Sequence, residues 1–220
     1  MTMVLNDKTP KRLRGRPQIR PDAETRQLIV AAARHEFHGR GYAGASMGRV
    51  AERAGVSTKT MYRLIPTKAD LFRSVVADRI SRFYLELDEK RLEELPIEEA
   101  LERILIGYGT LSFDEEAVSS LHLVIAECDR FPEIGTAFYE LALRPTSQTM
   151  AAWLERRQKL GEIEAGDAMV AVGVLRGMMT MEPQRAIMLG LRPPPDLEEI
   201  TIRARYCARL FLSGCRTKQG

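Results

Sequence analysis

Thr58, Lys59, Thr60, Tyr62 and Arg63 lie together in a segment, Thr58 to about Leu64, that reads as a short helix. Hydroxyls and cations on one exposed helical surface are the chemistry a helix needs to meet base edges and phosphates in a DNA major groove. Upstream, Arg14-Gly15-Arg16-Pro17 is a sequence that can lie extended in a narrow, electronegative minor groove. The same residues would equally serve as a solvated basic tail. Elsewhere the chemistry is sparse. There is no His-Glu-x-x-His and no coherent acid–base pair, so no enzymatic activity and no cofactor are expected. His35 and His38 share a helix face but lack the Cys or carboxylate cluster of a metal site. Cys128, Cys207 and Cys215 are odd in number and widely spaced, which fits a reducing compartment rather than a disulfide framework.

Helical elements must position these groups. Asp22 is suited to cap a first helix, with Ile29, Ala33 and Phe37 on one stripe and an end near Gly39-Arg40-Gly41. Glu36 interrupts that stripe. Ser46 is expected to cap a second helix, Met47 to Ala54, stopped by Gly55, and Ser57 a third that Pro66 ends. The turn Ala54-Gly55-Val56-Ser57 gives this pair the form of a helix-turn-helix, with Gly55 for positive φ and Val56 as an apolar plug. Taken alone, the pair would equally make an ordinary helical hairpin. Lys68 opens a long fourth helix with Leu71, Phe72, Val75, Val76, Ile80, Phe83, Tyr84 and Leu87 along one side.

The downstream sequence repeats the style. Helices are expected over Pro96 to about Leu111 and Asp114 to Cys128, then from Pro132 to Gly161 with an interruption before Pro145. Two more run from Asp167 to about Leu189 and from Asp196 to about Ser213. No stretch supports a strand, so the expected class is all-α.

The 33 Lys and Arg against 30 Asp and Glu give a net +3, which conceals a division. Residues 1–72 hold 14 basic and 6 acidic residues, or +8, and the remainder 19 and 24, or −5. A basic first third suggests that a polyanion meets the N-terminal end. Charges interrupt every apolar run short of a membrane span, and the opening residues lack a secretion signal. A cytoplasmic protein with no membrane partner is expected. A rival reading remains: a helical carrier or interaction module whose basic arm binds membrane lipid or RNA.

Several motifs, spread over about residues 22–72, carry a resemblance. They are Phe37-x3-Gly41-Tyr42, Ser46-x3-Val50-Ala51-x2-Ala54-Gly55-Val56-Ser57, Thr60-Met61-Tyr62 and Pro66-x-Lys68-x2-Leu71-Phe72. In these the chain resembles the TetR family of transcriptional regulators. The resemblance implies a three-helix DNA-binding head on each subunit of a homodimer that reads a palindrome, most often as a repressor. It also implies that Ser46, Tyr62 and Lys68 approach phosphates, with Thr58, Lys59 and Thr60 at bases and phosphates; Arg49 and Arg63 are added for their charge. The chain departs from the family at Leu64 and Ile65, where Tyr or His and then Phe are common.

Residues 112–190 are similar to AefR-like members of that family, through His122-Leu123-Val124-Ile125-Ala126-Glu127, Arg130-Phe131-Pro132-Glu133, Phe138-Tyr139-Glu140 and Leu160-Gly161-Glu162-Ile163. That similarity implies a ligand-sensing and dimerisation domain. The expected organisation is a flexible basic arm over 1–21, a head over 22–72, a helical regulatory and dimerisation domain over 73–213, and a tail over 214–220. The aromatic, polar and thioether groups of Tyr108, Phe113, His122, Phe138, Trp153 and Met178 are candidates for a pocket that takes a largely apolar small molecule. Met169, Met178, Met179, Met181 and Met188 cluster in one helix, as fit for a core as for a pocket. Ala171, Gly177, Ala204, Cys207, Ala208 and Phe211 form small or apolar stripes suited to a subunit interface, though intrachain packing would use the same stripes.

Overall fold

The structure, a computed structural model, describes residues 20–86 and 89–215. Among them there are only helices: α1 (Asp22–Gly44), α2 (Met47–Arg53), α3 (Thr58–Leu64), α4 (Lys68–Glu86), α5 (Glu89–Glu94), α6 (Ile97–Phe113), α7 (Glu115–Glu127), α8 (Pro132–Phe138), α9 (Arg144–Lys159), α10 (Ala168–Met188) and α11 (Leu197–Cys215). The all-α expectation holds. The basic segment with Arg14 and Arg16 lies outside the described residues, as do Leu87 and the side chains of Phe83 and Tyr84. No described helix is long and apolar enough to cross a membrane.

Two apolar cores organise the chain. The first gathers Ile29, Ala33, Phe37, Tyr42, Val50, Met61, Leu64, Leu71 and Phe72 from α1–α4, and also Val124, Ile134, Ala137 and Ala142 from further on. Packing therefore does not divide at residue 72, because α7 and α8 complete the core of the N-terminal helices. The second core joins α6, α9, α10 and α11 through Leu101, Leu105, Phe113, Leu154, Leu175, Met179, Ala204 and Ala208.

Side-chain caps set several helix starts. The Ser57 side chain accepts from Thr60 N at 3.1 Å, Asp114 from Glu116 N at 2.8 Å and Asp167 from Val170 N at 3.0 Å, each satisfying a donor the helix leaves orphaned. Ser57→Ala should cost about 1 kcal/mol of stability, read as a shift of the urea midpoint; an unchanged midpoint would mean that solvent replaces the cap. The Ser46 hydroxyl makes no such bond, and Glu36 binds the Ser46 N–H instead. Glu36 is 6% exposed, and its carboxylate accepts from Ser46 N at 3.2 Å and Arg49 Nε at 2.6 Å. The acid that breaks the α1 stripe is thus a buried tie between α1 and α2.

Two prolines interrupt the regular helices. Before Pro145 the chain forms a π-helical turn, Tyr139–Leu143, since proline cannot donate into an α ladder and its ring crowds the preceding turn. Pro183 sits inside α10 and frees the Met179 carbonyl four residues back. Arg203 of α11 satisfies it, donating from Nε to Met179 O at 2.8 Å and from Nη2 to Met178 O at 2.8 Å.

Candidate nucleic-acid interface and internal cavity

Helix α3 has two unlike faces. Met61 and Leu64 are buried, and Ile65 with them, which anchors the helix and explains the aliphatic pair at 64 and 65. Thr58, Lys59, Tyr62 and Arg63 point outward, Tyr62 at 53% exposure, while Thr60 is half-buried with its hydroxyl 2.9 Å from that of Ser57. The α2–α3 turn runs through Gly55 at φ +66°, the backbone that lets the second helix leave at a sharp angle. An exposed surface of hydroxyls and cations, seated on an apolar underside, can lie against a polyanion without losing its support.

The remaining candidates of this region have structural partners. Arg63 forms a two-pronged pair with Asp22 at 2.8 Å in both arms, and that guanidinium lowers the Asp22 carboxyl below its ordinary value, mainly by hydrogen bonding. Arg49 spends Nε on Glu36 and Nη2 on the Gly44 carbonyl. Ser46 is half-buried with its N–H taken by Glu36. Lys68 was expected at a phosphate, but its Nζ donates to the carbonyls of Tyr42, Ala43 and Ala45 at 2.8, 3.3 and 3.2 Å and lies 4.8 Å from the Tyr42 ring centroid. An ammonium has three N–H donors, and all three are engaged here. Lys68 fastens α4 to the end of α1.

That end is gripped from the other side by residues that the sequence marked only as parts of the AefR-like motifs. α1 kinks at Gly41, φ +68° and ψ 179°, so the first helix runs past the expected stop and turns a corner. The Glu127 carboxylate, at the end of α7, accepts from Tyr42 N at 2.8 Å and Ala43 N at 2.7 Å. The Tyr42 hydroxyl donates to Glu133 at 3.0 Å, and its ring packs edge-on to Phe131. Burial first, and then the Glu133 carboxylate, push the Tyr42 hydroxyl pKa well above its ordinary value. This corner joins the N-terminal helices to the α7–α8 turn.

Between the two cores lies a cavity of about 390 Å³. Val75, Val76 and Ile80 of α4, Leu111 of α6, Ala117 and Leu121 of α7, Phe138 of α8 and Met181 of α10 make it mostly apolar. Of the pocket candidates, Tyr108 and Phe138 line it. The others do not. Phe113 and Trp153 are packed in the second core at 2% and 4% exposure, His122 points to solvent, and Met178 packs half-buried against that core. Side-chain type suggested all six but could not say on which side of a helix the void lay. Gly177, chosen for a subunit interface, lines the cavity instead, with open space where a Cβ would stand.

The arginines of the cavity went unnoticed in the sequence, although one inside the apolar run Val174-Leu175-Arg176-Gly177-Met178 was a signal. Arg34 pairs with Asp78 at 2.9 Å and Glu116 at 3.4 Å. Arg79 pairs with Asp114 at 2.8 Å and Glu116 at 3.5 Å. Arg176 Nε donates to the Tyr108 hydroxyl at 3.0 Å, and its Nη1 to Leu143 O at 3.2 Å and to the Ser147 hydroxyl. Among the described residues no group of three side chains is placed to hold a metal, and His35 and His38 are exposed.

The other interface candidates need correction. Ala171, Ala204, Cys207, Ala208 and Phe211 are all buried within the chain, Ala204 and Ala208 completely, where α11 packs on α6 and α10. Burial also raises the Cys207 thiol pKa, so this cysteine behaves as a small apolar group. The opposite faces of the same helices carry the exposed apolar residues: Val170, Val174 and Met181 on α10, and Ile202, Tyr206 and Leu210 on α11, each at least half exposed. The last three recur at four-residue spacing, a continuous stripe along the helix.

Comparison with known proteins agrees with this geometry. Residues 29–75 match the family model for bacterial regulatory proteins of the tetR family, and residues 99–214 the model for the AefR-like transcriptional repressor C-terminal domain. No curated protein matches by sequence. Among solved structures, a TetR-family transcriptional regulator from Mesorhizobium loti is 27% identical with a TM-score of 0.80, over 90% of this chain and 100% of that one. The flavonoid-responsive regulator FrrA is 25% identical, TM-score 0.71, over 89% and 99%. FadR from Bacillus subtilis, solved with stearoyl-CoA, shares the fold at 19% identity and a TM-score of 0.66, over 86% and 98%.

Proposed function

The chain belongs to the TetR family of bacterial transcriptional regulators, and from that premise we propose that it is a homodimeric, ligand-responsive repressor acting on a palindromic operator in the cytoplasm. The carrying observation is the two-faced α3, with Met61 and Leu64 buried and Thr58, Lys59, Tyr62 and Arg63 presented outward. A single helix of this length gives little discrimination, and paired heads on successive major grooves multiply it. The exposed stripes of α10 and α11 supply the pairing surface, since an apolar patch of that continuity calls for a partner.

The response follows from what the cavity touches. Its walls include α4 and α7, and α7 ends at Glu127, which holds the corner of α1. A molecule that fits better when α4 and α7 move apart favours a spacing of the heads that the operator does not match. Only its differential affinity for the two arrangements does work, and about 1–3 kcal/mol corresponds to roughly 5–150-fold weaker DNA binding.

Fluorescence anisotropy with duplexes from the gene's own promoter tests the DNA reading. Binding should exceed that to scrambled duplex at moderate salt, and equal affinities would overturn the proposal. Replacing Thr58, Lys59 and Thr60 together by alanine should abolish the preference. Lys59→Ala alone should flatten the slope of log affinity against log salt by about 0.9, one phosphate contact. Binding to anionic vesicles or RNA that survives the triple replacement would favour the carrier reading.

A further inference from the structure

The ion pairs of the cavity single out one group. Arg34 and Arg79 are each matched by carboxylates, sharing Glu116 and pairing separately with Asp78 and Asp114. Arg176 has only neutral partners, and no carboxylate among the described residues lies within ion-pair distance of it. Its Nε and Nη1 are engaged, while Nη2 has no hydrogen-bond partner among those residues. The Tyr108 hydroxyl accepts from Arg176 at 3.0 Å and donates to no described group. The guanidinium is held in place, 5.1 Å from the Tyr108 ring centroid. Gly173 and Gly177 flank it on α10, and both leave open space where a side chain would stand.

A guanidinium that faces a mostly apolar pocket without a carboxylate partner can form a charge-assisted pair with a ligand that brings one negative charge. We propose that Arg176 and Tyr108 form an anion subsite that selects, as effector, an apolar molecule bearing a single carboxylate. One carboxylate oxygen accepts from Nη2 and the other from the Tyr108 hydroxyl, which use the free donors of both groups. The apolar body lies on the Val76, Ile80, Leu121 and Phe138 side of the cavity. The donors set the class: Nη2 and the Tyr108 hydroxyl serve the two oxygens of one carboxylate, and the second charge of a dianionic phosphate would lie against apolar walls. A volume of about 390 Å³ suits a compact molecule of drug-like size. This inference rests on the ligand-responsive reading above and names the ligand's chemistry.

Isothermal titration of the full-length protein with biphenyl-4-carboxylate and decanoate, each against its neutral amide, tests the subsite. Each acid should bind at least tenfold tighter than its amide. In Arg176→Met, which keeps the aliphatic stem, the ratio should fall below about twofold, and in Tyr108→Phe it should drop severalfold. Circular dichroism checks that the variants are folded, and the acid–amide ratio in the unaltered protein needs no variant. Amides binding as well as acids, neither acid binding, or a preference that persists in folded Arg176→Met would each overturn the subsite. Promoter-duplex anisotropy with the same four compounds separates this from the wider reading. DNA release by the amides alone would retain a ligand-responsive regulator without an anion subsite. Acid-selective binding that leaves DNA affinity unchanged would retain the subsite and reject the acids as effectors.

Discussion

Gly41→Ala should destabilise the protein by about 3–4 kcal/mol. At φ +68° and ψ 179° the backbone occupies a region that essentially only glycine adopts, and forcing a side chain there costs about 1–3 kcal/mol. A Cβ would also stand 2.5 Å from Glu127 Oε1, closer than any real contact. The carboxylate must withdraw, and its bonds to Tyr42 N and Ala43 N weaken. Hydrogen bonds to a charged group contribute about 1.5–3 kcal/mol each, discounted here because Ala43 N is exposed. Urea denaturation followed by circular dichroism reads the loss. A double-mutant cycle with Glu127→Gln should show strong coupling, because both changes disrupt one corner. A loss under about 1 kcal/mol for Gly41→Ala would mean that the corner rearranges freely and cannot set the attitude of the head.

Tyr206→Asp should break the dimer and, with it, operator binding. Tyr206 is 68% exposed, between Ile202 and Leu210 on the outer stripe of α11. In a two-fold interface each change occurs twice, and a buried unpaired charge costs about 3–5 kcal/mol. The dimer dissociation constant should rise by at least about a thousandfold. Sedimentation velocity at micromolar concentration should show monomer, and anisotropy should show operator affinity at least a hundredfold weaker. Cys207→Ser supplies the contrast. Cys207 is 3% exposed and faces the opposite way, so its replacement should lower folding stability by about 1–3 kcal/mol and leave the dimer intact. A dimeric Tyr206→Asp would remove the outer stripe from the interface.

The Ser57 cap and the α3 range of Thr58–Leu64 were legible because they depend on neighbours a few residues away. The π-helical turn before Pro145 was legible as an interruption, since proline forbids a regular ladder wherever it falls. Leu64 looked like a departure from the family at a contact position. Its burial at 5% makes it a core residue, and the aliphatic side chain fits that role. Glu36 was visible as an anomaly but had no meaning until the chain folded back, bringing Ser46 N and Arg49 to it.

The outer stripes show the limit most plainly. Both faces of α11 are apolar at helical spacing, Ala204-Cys207-Ala208-Phe211 on one and Ile202-Tyr206-Leu210 on the other. Only the first was singled out in the sequence, and spacing alone cannot rank the two, because a helix does not record which face its own chain will cover. Only the packing of α6 against the first leaves the second exposed. Residue order alone settled the all-helical class, the helix-turn-helix, the family and the polar surface of α3, all of which arise from short-range spacing and from steric limits on glycine and proline. The tertiary structure decided the rest: the carboxylate of Glu127 at the corner of Gly41, the three carbonyls that hold Lys68, and the unmatched charge of Arg176. Each joins groups that are far apart in the chain, and such contacts exist only once the helices have chosen their partners.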